Sequence, residues 1–223
     1  MHPLGEARTT KVGRVNTCAQ ILLMPGSPAL IEALAPAHEP SRRVLACIRE
    51  AVEMAWGSAT GRAVDTVDTV EIVRPRNASD RTEIAGSFAA WGAPQVQVGA
   101  GNYLPELVAR YALAPYEPRV REVREHIGVP EPDVLTVVVV DGPAGLTARA
   151  PLALIESAPE LHRALQQFVA GERSQLPEGM EQLGVLEPGL WRELASLHAR
   201  RQLLHADDSL GVGRYVGLWE VEC

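Results

Sequence analysis

Three scarcities in this 223-residue sequence exclude whole classes of protein. No run approaches about 18 apolar residues, and no apolar stretch follows a basic one at the N-terminus, so neither a membrane span nor a secretory signal is expected. Cys18, Cys47 and Cys223 have neither metal-site nor disulfide spacing, which predicts a reduced, cytoplasmic protein. Positive charge is also in deficit, since the formal net charge is −7. This balance argues against a nucleic-acid partner, which would need a basic face.

Lysine is almost absent, since Lys11 is the only lysine among 21 Lys and Arg residues. A Schiff-base lysine is therefore not expected beyond the first residues, and the arginine-rich composition is typical of a high-GC bacterium. The sequence also has no G-x-S-x-G nucleophile elbow and no G-x-x-x-x-G-K-[ST] phosphate loop. With 46% hydrophobic and 22% charged residues, the chain is nevertheless able to bury a substantial core.

The pattern of apolar residues predicts a single three-layer α/β domain. The predicted strands are Cys18–Met24, Val64–Val73, a segment around Val96 and Val98, Val134–Val140 and Gly213–Val221. The predicted helices are Ser41–Gly57, a segment with Pro105 near its start, Pro118–Ile127, Ser157–Gly171 and Leu190–Leu203. Because Val134–Val140 is apolar without alternation, we expect it inside a largely parallel or mixed sheet that helices flank on both faces. Residues 18–223 are expected to form this domain, and residues 1–17 a flexible leader.

The loop Asp141–Arg149 is the first candidate site, because ligands of open α/β sheets bind beyond the carboxyl ends of strands. Gly142 would let the backbone approach a ligand closely, and Thr147 supplies a hydroxyl group. Asp141 is a candidate general base, with a pKa raised by burial, and Arg149 a candidate for holding an oxyanion. The alternative is a connecting loop whose aspartate accepts hydrogen bonds from backbone amides.

The segment after the second predicted strand is a second candidate, because it carries three guanidinium groups within eight residues. It contains Arg74, Arg76, Asn77, Asp80 and Arg81. Guanidinium groups bind carboxylate, phosphate or sulfate in bidentate fashion, so Arg74, Arg76 and Arg81 are predicted to hold a substrate anion, with Asn77 as a further substrate-binding residue. The alternative is a solvated loop in an arginine-rich chain.

Parallel strands bring the loops at their carboxyl ends to one edge of a sheet. We therefore expect the loops Met24–Pro28, Arg74–Arg81 and Asp141–Arg149 to converge there, with Ser27 as a further substrate-binding residue. A separate possibility is a site of two histidines and one carboxylate, because His198 and His205 are seven residues apart and precede Asp207 and Asp208. The alternative interpretation of those histidines is exposed side chains on an amphipathic helix.

Several segments form a set with a recognisable order. They are Met24–Leu30, Val137–Gly142 with Leu146–Pro151, Gly211–Trp219 and, more weakly, Gly86–Phe88 with Trp91 and Gly92. The set, over roughly residues 18–221, resembles the class III extradiol dioxygenase superfamily, and in particular an uncharacterised actinobacterial branch. The resemblance implies one α/β domain with its site at the ends of the central strands.

In the ring-cleaving members of that superfamily, two histidines and a glutamate hold non-haem Fe(II), and a further histidine serves as acid and base. The loops Met24–Pro28, Arg74–Asn77 and Asp141–Arg149 of this chain contain no histidine. We therefore predict that the protein uses no catalytic metal and no other cofactor.

Three functions remain open at this point. The first is a metal-independent enzyme of bacterial natural-product or antibiotic biosynthesis that acts on a small anionic substrate, either free or attached to a carrier protein. Its expected reaction is an intramolecular displacement or cyclisation with sulfate or phosphate as the leaving group. The second is a non-catalytic subunit that stabilises a heteromeric enzyme complex. A partner subunit, in a homo-oligomer or a hetero-oligomer, is expected as a possibility in either case. The third is an iron-dependent ring-cleaving dioxygenase.

Overall fold

The computed structural model of the protein describes residues 18–57 and 69–222. The predicted leader, residues 1–17, lies outside the described residues, as do residues 64–68 of the second predicted strand. No helix within the described ranges has the length and apolar character needed to span a bilayer.

The described chain contains both β-strands and α-helices. The strands are β1 (Ala19–Met24), β2 (Thr69–Val73), β3 (Ser87–Phe88), β4 (Ala93–Gln97), β5 (Arg119–Arg124), β6 (Leu135–Val139), β7 (Ala199–Asp207) and β8 (Arg214–Val221). The helices are α1 (Glu39–Gly57), α2 (Leu104–Leu113), α3 (Ala158–Val169) and α4 (Gly189–Ala195). Strands β3 and β4 form a small separate ribbon.

The other strands form one mixed sheet of six in the order β5-β2-β6-β1-β8-β7. Strands β5, β2, β6 and β1 run parallel, whereas β8 is antiparallel to both β1 and β7. The carboxyl ends of β1, β2 and β6 therefore lie at one edge, and the turn between β7 and β8 lies at the same edge. The predicted α/β fold with a mixed, largely parallel central sheet is confirmed.

Helices cover both faces of this sheet, because side chains alternate between faces along each strand. In β1, Leu22 and Met24 belong to the hydrophobic core that includes the buried faces of α1 and α2. Ile21 and Leu23 belong to the second core, which α3 and α4 complete. Strand β6 is buried at every position, as its unbroken apolar sequence predicts. The domain thus has three layers.

The predicted helix over Pro118–Ile127 is wrong, because Arg119–Arg124 forms the edge strand β5. Its parallel pairing with β2 places Arg121 and Arg124 beside Glu71, whose side chain is 2% exposed and forms ion pairs with both. A buried carboxylate without such partners would be strongly unfavourable. Pairing with a distant strand therefore overrides the local pattern.

The predicted helix over Leu190–Leu203 is also partly wrong. Helix α4 ends at Ala195, and the chain then enters β7, which pairs with β8 from Ala199 to Asp207 with one register shift between Leu203 and His205. His198 is exposed just before β7, and His205 lies within β7. The two histidines therefore do not share a helix face, and the geometric premise of the two-histidine site is removed.

Candidate functional site

A cavity of about 350 Å³ opens at the carboxyl edge of the parallel strands. The described residues that line it are Gly26, Ser27, Pro28, Pro75, Asn77, Ser79, Asp80, Leu104, Pro105, Val139, Val140, Asp141, Gly142, Ala144, Pro151, Leu186, Glu187, Leu210 and Val212. The structure thus brings together the three loops for which sequence predicts convergence. It places Ser27, Asn77, Asp141 and Gly142 of the predicted site residues in one cavity.

Asp141 is held at the wall of this cavity by two other segments of the chain. It follows β6 directly, and its Oδ2 atom accepts a hydrogen bond of 3.1 Å from the amide of Gly26. The indole Nε1 of Trp191 donates to the backbone carbonyl of Asp141 at 2.9 Å. The other carboxyl oxygen, Oδ1, is buried and has no hydrogen-bond partner among the described residues. One oxygen is therefore fixed, and the hydrogen-bonding capacity of the other is unused.

The carboxyl group of Asp141 is a poised acid–base group. Burial raises its pKa from 3.8 to about 6, and the negative charge of Asp80 acts in the same direction. The hydrogen bond from Gly26 and the positive charge of Arg214 partly oppose this rise. A carboxyl group whose pKa lies near neutral pH exchanges a proton readily under physiological conditions.

Two more carboxyl groups line the same cavity. Burial raises the pKa of Asp80, and burial together with the charge of Asp80 raises the pKa of Glu187. The described lining contains no lysine, arginine or histidine to balance these three acids. The cavity therefore carries negative potential and resists further negative charge.

A short turn after β2 positions Asp80. The side-chain Oδ1 of Asn77 accepts hydrogen bonds from the backbone amide and the hydroxyl group of Ser79, at 3.1 Å and 2.9 Å. An asparagine that accepts a hydrogen bond from the residue two positions later fixes a turn of this kind. Asn77, which also lines the cavity, therefore fixes the turn that places Asp80 in the cavity lining.

The arginines after β2 do not line the cavity. The Arg74 guanidinium lies 3.7 Å from the centroid of the Tyr103 ring and 3.7 Å from Glu125 Oε1. Arg76 is exposed and lies at the same distance from Glu125. Arg81 is half exposed and forms an ion pair with Glu83 at 2.6 Å. The structure therefore does not assemble the predicted arginine grip on an anion.

The loop after Asp141 is divided into a buried part and an exposed part. The amide of Gly142 donates to Gly213 at 2.7 Å, and a side-chain carbon at Gly142 would lie 2.6 Å from the Tyr215 hydroxyl. Glycine is thus required there by the close approach of Tyr215. Thr147 and Arg149 lie farther along, exposed on the surface and outside the cavity lining.

Behind the cavity, Arg214 is fully buried in a hydrogen-bond network. Its guanidinium group forms an ion pair with Asp207, with Nε at 2.9 Å from Oδ1, and donates to the Ser41 hydroxyl at 2.7 Å. Strand β8 places Arg214 at the edge where β6 ends, which explains its effect on the pKa of Asp141. The network therefore supplies positive potential to the cavity wall without entering it.

A second buried pair lies beside Gly142. The Tyr215 hydroxyl is 2.7 Å from Nδ1 of His162, and the two rings stack. Burial raises the pKa of Tyr215 and lowers the pKa of His162, so both are neutral at pH 7. Gln166 lies 2.9 Å from Nε2 of the same imidazole ring. The Tyr215 hydroxyl of this pair packs closely against Gly142, which lines the cavity.

The iron site that the resemblance implies does not fit the side chains at this edge. Within residues 18–57 and 69–222, no group of three or more His, Cys, Asp or Glu side chains is placed to hold a metal ion. No histidine lines the cavity in that part of the chain. We therefore derive no chemical step through iron.

Two of the cavity acids were not identifiable from the sequence as site residues. In the sequence, Asp80 stands out only as a neighbour of Arg76 and Arg81. No motif or strand end in the sequence identifies Glu187 as a site residue. A carboxylate directly after a predicted strand is a recognisable signal, as at Asp141. Glu187 reaches the cavity from the segment before α4, far from any strand end, so no local pattern marks it. Its role depends on how that segment packs over the sheet edge.

Comparison with known proteins adds no family to this description. No family model matches the chain, and no curated protein is significantly similar to it. The resemblance to the extradiol dioxygenase superfamily therefore stays a prediction.

Proposed function

We propose that the protein is an enzyme that binds a small molecule through a basic nitrogen in the acidic cavity and uses Asp141 as the proton acceptor. The observation that carries this proposal is the state of Asp141. Its carboxyl group has one anchored oxygen, one buried oxygen without a partner among the described residues, and a pKa of about 6. Such a group gains a strong hydrogen bond from an N–H donor.

The charge of the lining favours an amine over an anion. Asp80, Asp141 and Glu187 face the cavity, and the described lining has no cationic side chain to hold a carboxylate, phosphate or sulfate group. The predicted small anionic substrate is therefore replaced in this proposal by a substrate with an ammonium group. The rest of the lining is mostly apolar, which suits a small organic skeleton.

The reaction that fits such a substrate is the predicted intramolecular displacement. Asp141 first takes a proton from the ammonium group, which frees the lone pair of the nitrogen. The lone pair then forms the C–N bond while the C–O bond to the leaving group breaks, and the electron pair of the broken bond departs with sulfate or phosphate.

A stabilising, non-catalytic subunit is the second candidate, and one observation favours it. Leu186 and Leu210 line the cavity and are both exposed, which leaves apolar surface at its mouth. Exposed apolar surface of this kind often marks a protein interface. Against it, an open cavity with convergent polar groups is typical of an enzyme.

The test compares two ligands of nearly the same shape and opposite charge, benzylamine and benzoate, at constant ionic strength. Amide NMR signals of Gly26 and Gly142 report binding beside Asp141. We expect saturable shifts with benzylamine, binding at least about tenfold weaker in Asp141→Asn, and little response to benzoate. Asp133→Asn, which removes an exposed carboxylate, is the matched control and should bind like the wild type.

Two outcomes contradict the proposal. Preferential binding of benzoate would show that the cavity recognises anions, as the sequence predicted. Equal binding of benzylamine by wild-type protein and Asp141→Asn would show that Asp141 does not contact the nitrogen. Asp80→Asn provides a second variant, with an expected smaller loss of affinity, because Asp80 contributes charge to the same cavity.

A further inference from the structure

A second cavity, of about 420 Å³, lies at the opposite edge of the sheet, where β7 begins and β8 ends. Its charged and titratable lining consists of Arg173, His198, Arg200, Arg201 and Glu222. Its lining thus contains three arginines and one described carboxylate, the reverse of the charge balance in the acidic cavity. We propose that this cavity binds an oxyanion, the phosphate or carboxylate group of a small ligand, with Arg201 as its principal contact.

Arg201 is held in place by aromatic rings. Its guanidinium carbon lies 4.3 Å from the centroid of the Phe168 ring and 4.6 Å from that of Trp219. Aromatic faces attract a guanidinium group and restrict its orientation. The rings are themselves packed edge to face, so the platform is rigid. An arginine fixed in this way loses little conformational entropy when it binds an anion.

The hydrogen-bonding capacity of Arg201 is only partly used. Its NH2 atom donates to the Leu197 carbonyl at 3.3 Å, whereas its NH1 atom is buried and has no hydrogen-bond partner in the described chain. No carboxylate among the described residues lies within ion-pair distance of this guanidinium group. A buried, unpaired donor on a cation is strongly unfavourable until an acceptor reaches it. An oxyanion in the adjoining cavity supplies such an acceptor.

Arg173 is the neighbouring cation that reinforces the site. Arg200, the preceding residue of β7, presents its side chain to the opposite face of the sheet, where it lies 4.0 Å from Glu220. Arg173 uses its Nε atom to donate to the Gln175 carbonyl at 2.8 Å. Burial lowers the pKa of Arg201, but a guanidinium group stays charged at neutral pH despite such a shift. The cavity therefore presents several donors and net positive charge.

The test uses inorganic phosphate and acetate as separate probes at constant ionic strength, with the amide NMR signals of Gly171 and Ala199 as reporters. Both residues line the cavity. We expect saturable shifts, and the dissociation constants of the two probes distinguish a phosphate site from a carboxylate site. Arg201→Gln should weaken binding at least about tenfold, because charge-assisted hydrogen bonds are lost.

Arg119→Gln is the matched control. It removes one exposed guanidinium group from the far edge strand β5 and should leave the affinity unchanged. If Arg201→Gln does not fold, Arg201→Lys keeps the charge, loses the planar fork and should still weaken binding severalfold. Shifts that rise linearly without saturation, or that are equal in the Arg201 and Arg119 variants, would overturn the proposal.

Discussion

The backbone amide of Gly26 donates a hydrogen bond of 3.1 Å to the carboxyl Oδ2 of Asp141, a residue 115 positions later in the chain. This bond joins the loop after β1 to the loop after β6, and it favours the ionised form of a carboxyl group that burial would otherwise keep protonated. It also fixes the direction of Oδ1, the oxygen atom left without a described partner. Both the position and the pKa of the Asp141 carboxyl group in the cavity therefore depend on this contact.

Replacing Asp141 with Asn should stabilise the protein at neutral pH. The raised pKa means that the folded state binds a proton more tightly than the unfolded state, so the contribution of Asp141 to stability is greatest below about pH 4 and falls as pH rises to about 6. The wild type thus loses up to about 3 kcal/mol across this window. Asn avoids ionisation and still accepts from Gly26, so its melting temperature at pH 7 should exceed that of the wild type by roughly 5 °C.

Thermal melts of both proteins between pH 4 and pH 8 measure this effect. The two curves should converge near pH 4, and Asp133→Asn, on the surface, should follow the wild type throughout. Parallel curves for wild-type protein and Asp141→Asn would show that Asp141 does not titrate in this range. A more stable variant that has lost amine binding is the expected pattern for a residue kept for function.

Gly26→Ala should disturb Asp141 directly. The added carbon would lie 3.2 Å from Oδ2 of Asp141, 3.2 Å from Val139 and 3.4 Å from Pro105, so the carboxyl group or its neighbours must move. We expect a loss of about 1 to 2 kcal/mol in unfolding free energy and weaker amine binding. Gly189→Ala, which meets no atom within 4 Å, is the control and should be close to neutral.

Urea unfolding and the benzylamine titration measure both effects. Full retention of binding in Gly26→Ala, together with an unchanged unfolding midpoint, would mean that the loop adjusts without moving Asp141. Loss of binding with little loss of stability would instead indicate a specific displacement of the carboxyl group.

The buried ion pair between Arg214 and Asp207 should be strongly coupled. Arg214→Met leaves the partly buried carboxylate of Asp207 without its partner, which should destabilise the protein by about 3 to 5 kcal/mol. Asp207→Leu in the same chain removes that unpaired charge and should restore a large part of the loss. Unfolding in urea measures both, and equal stability of the single and double variants would contradict the coupling.

His162 should contribute to acid sensitivity. Burial lowers its pKa below the usual 6.5, so the unfolded state takes up a proton first as pH falls, and stability is lost below about pH 6.5. His162→Gln keeps a hydrogen-bonding group beside Tyr215 and removes this titration. When pH is lowered from 7 to 5, the melting temperature of His162→Gln should therefore fall less, or rise more, than that of the wild type, whereas the exposed His198→Gln should respond like the wild type.

Much of the fold follows from local sequence patterns. Strands β1, β6 and β8 and helices α1, α2 and α3 lie where apolar periodicity predicts them, because each must bury an apolar face or stripe to form. The convergence of the loops after β1, β2 and β6 also follows from sequence, since parallel strands place their carboxyl ends at one edge. The position of Asp141 at that edge is a consequence of both.

Tertiary structure alone decided the edge strands. The segments of β5 and β7 are rich in arginine and contain apolar residues at spacings that suit a helix as well as a strand. Their pairing with β2 and β8 settles the ambiguity, because it satisfies backbone hydrogen bonds and gives the buried Glu71 its two arginine partners. No pattern within either segment contains that information.

Tertiary structure also decided the charge of the cavity. Sequence identifies where polar residues follow strands, but the direction of each side chain depends on turns and on partners far along the chain. Arg74 turns toward Tyr103 and Glu125, whereas Asp80 and Glu187 reach the cavity beside Asp141. The sequence by itself thus determined the layers, the sheet core and the edge that carries the site. Its acidic character arises only when long-range packing selects which side chains face inward.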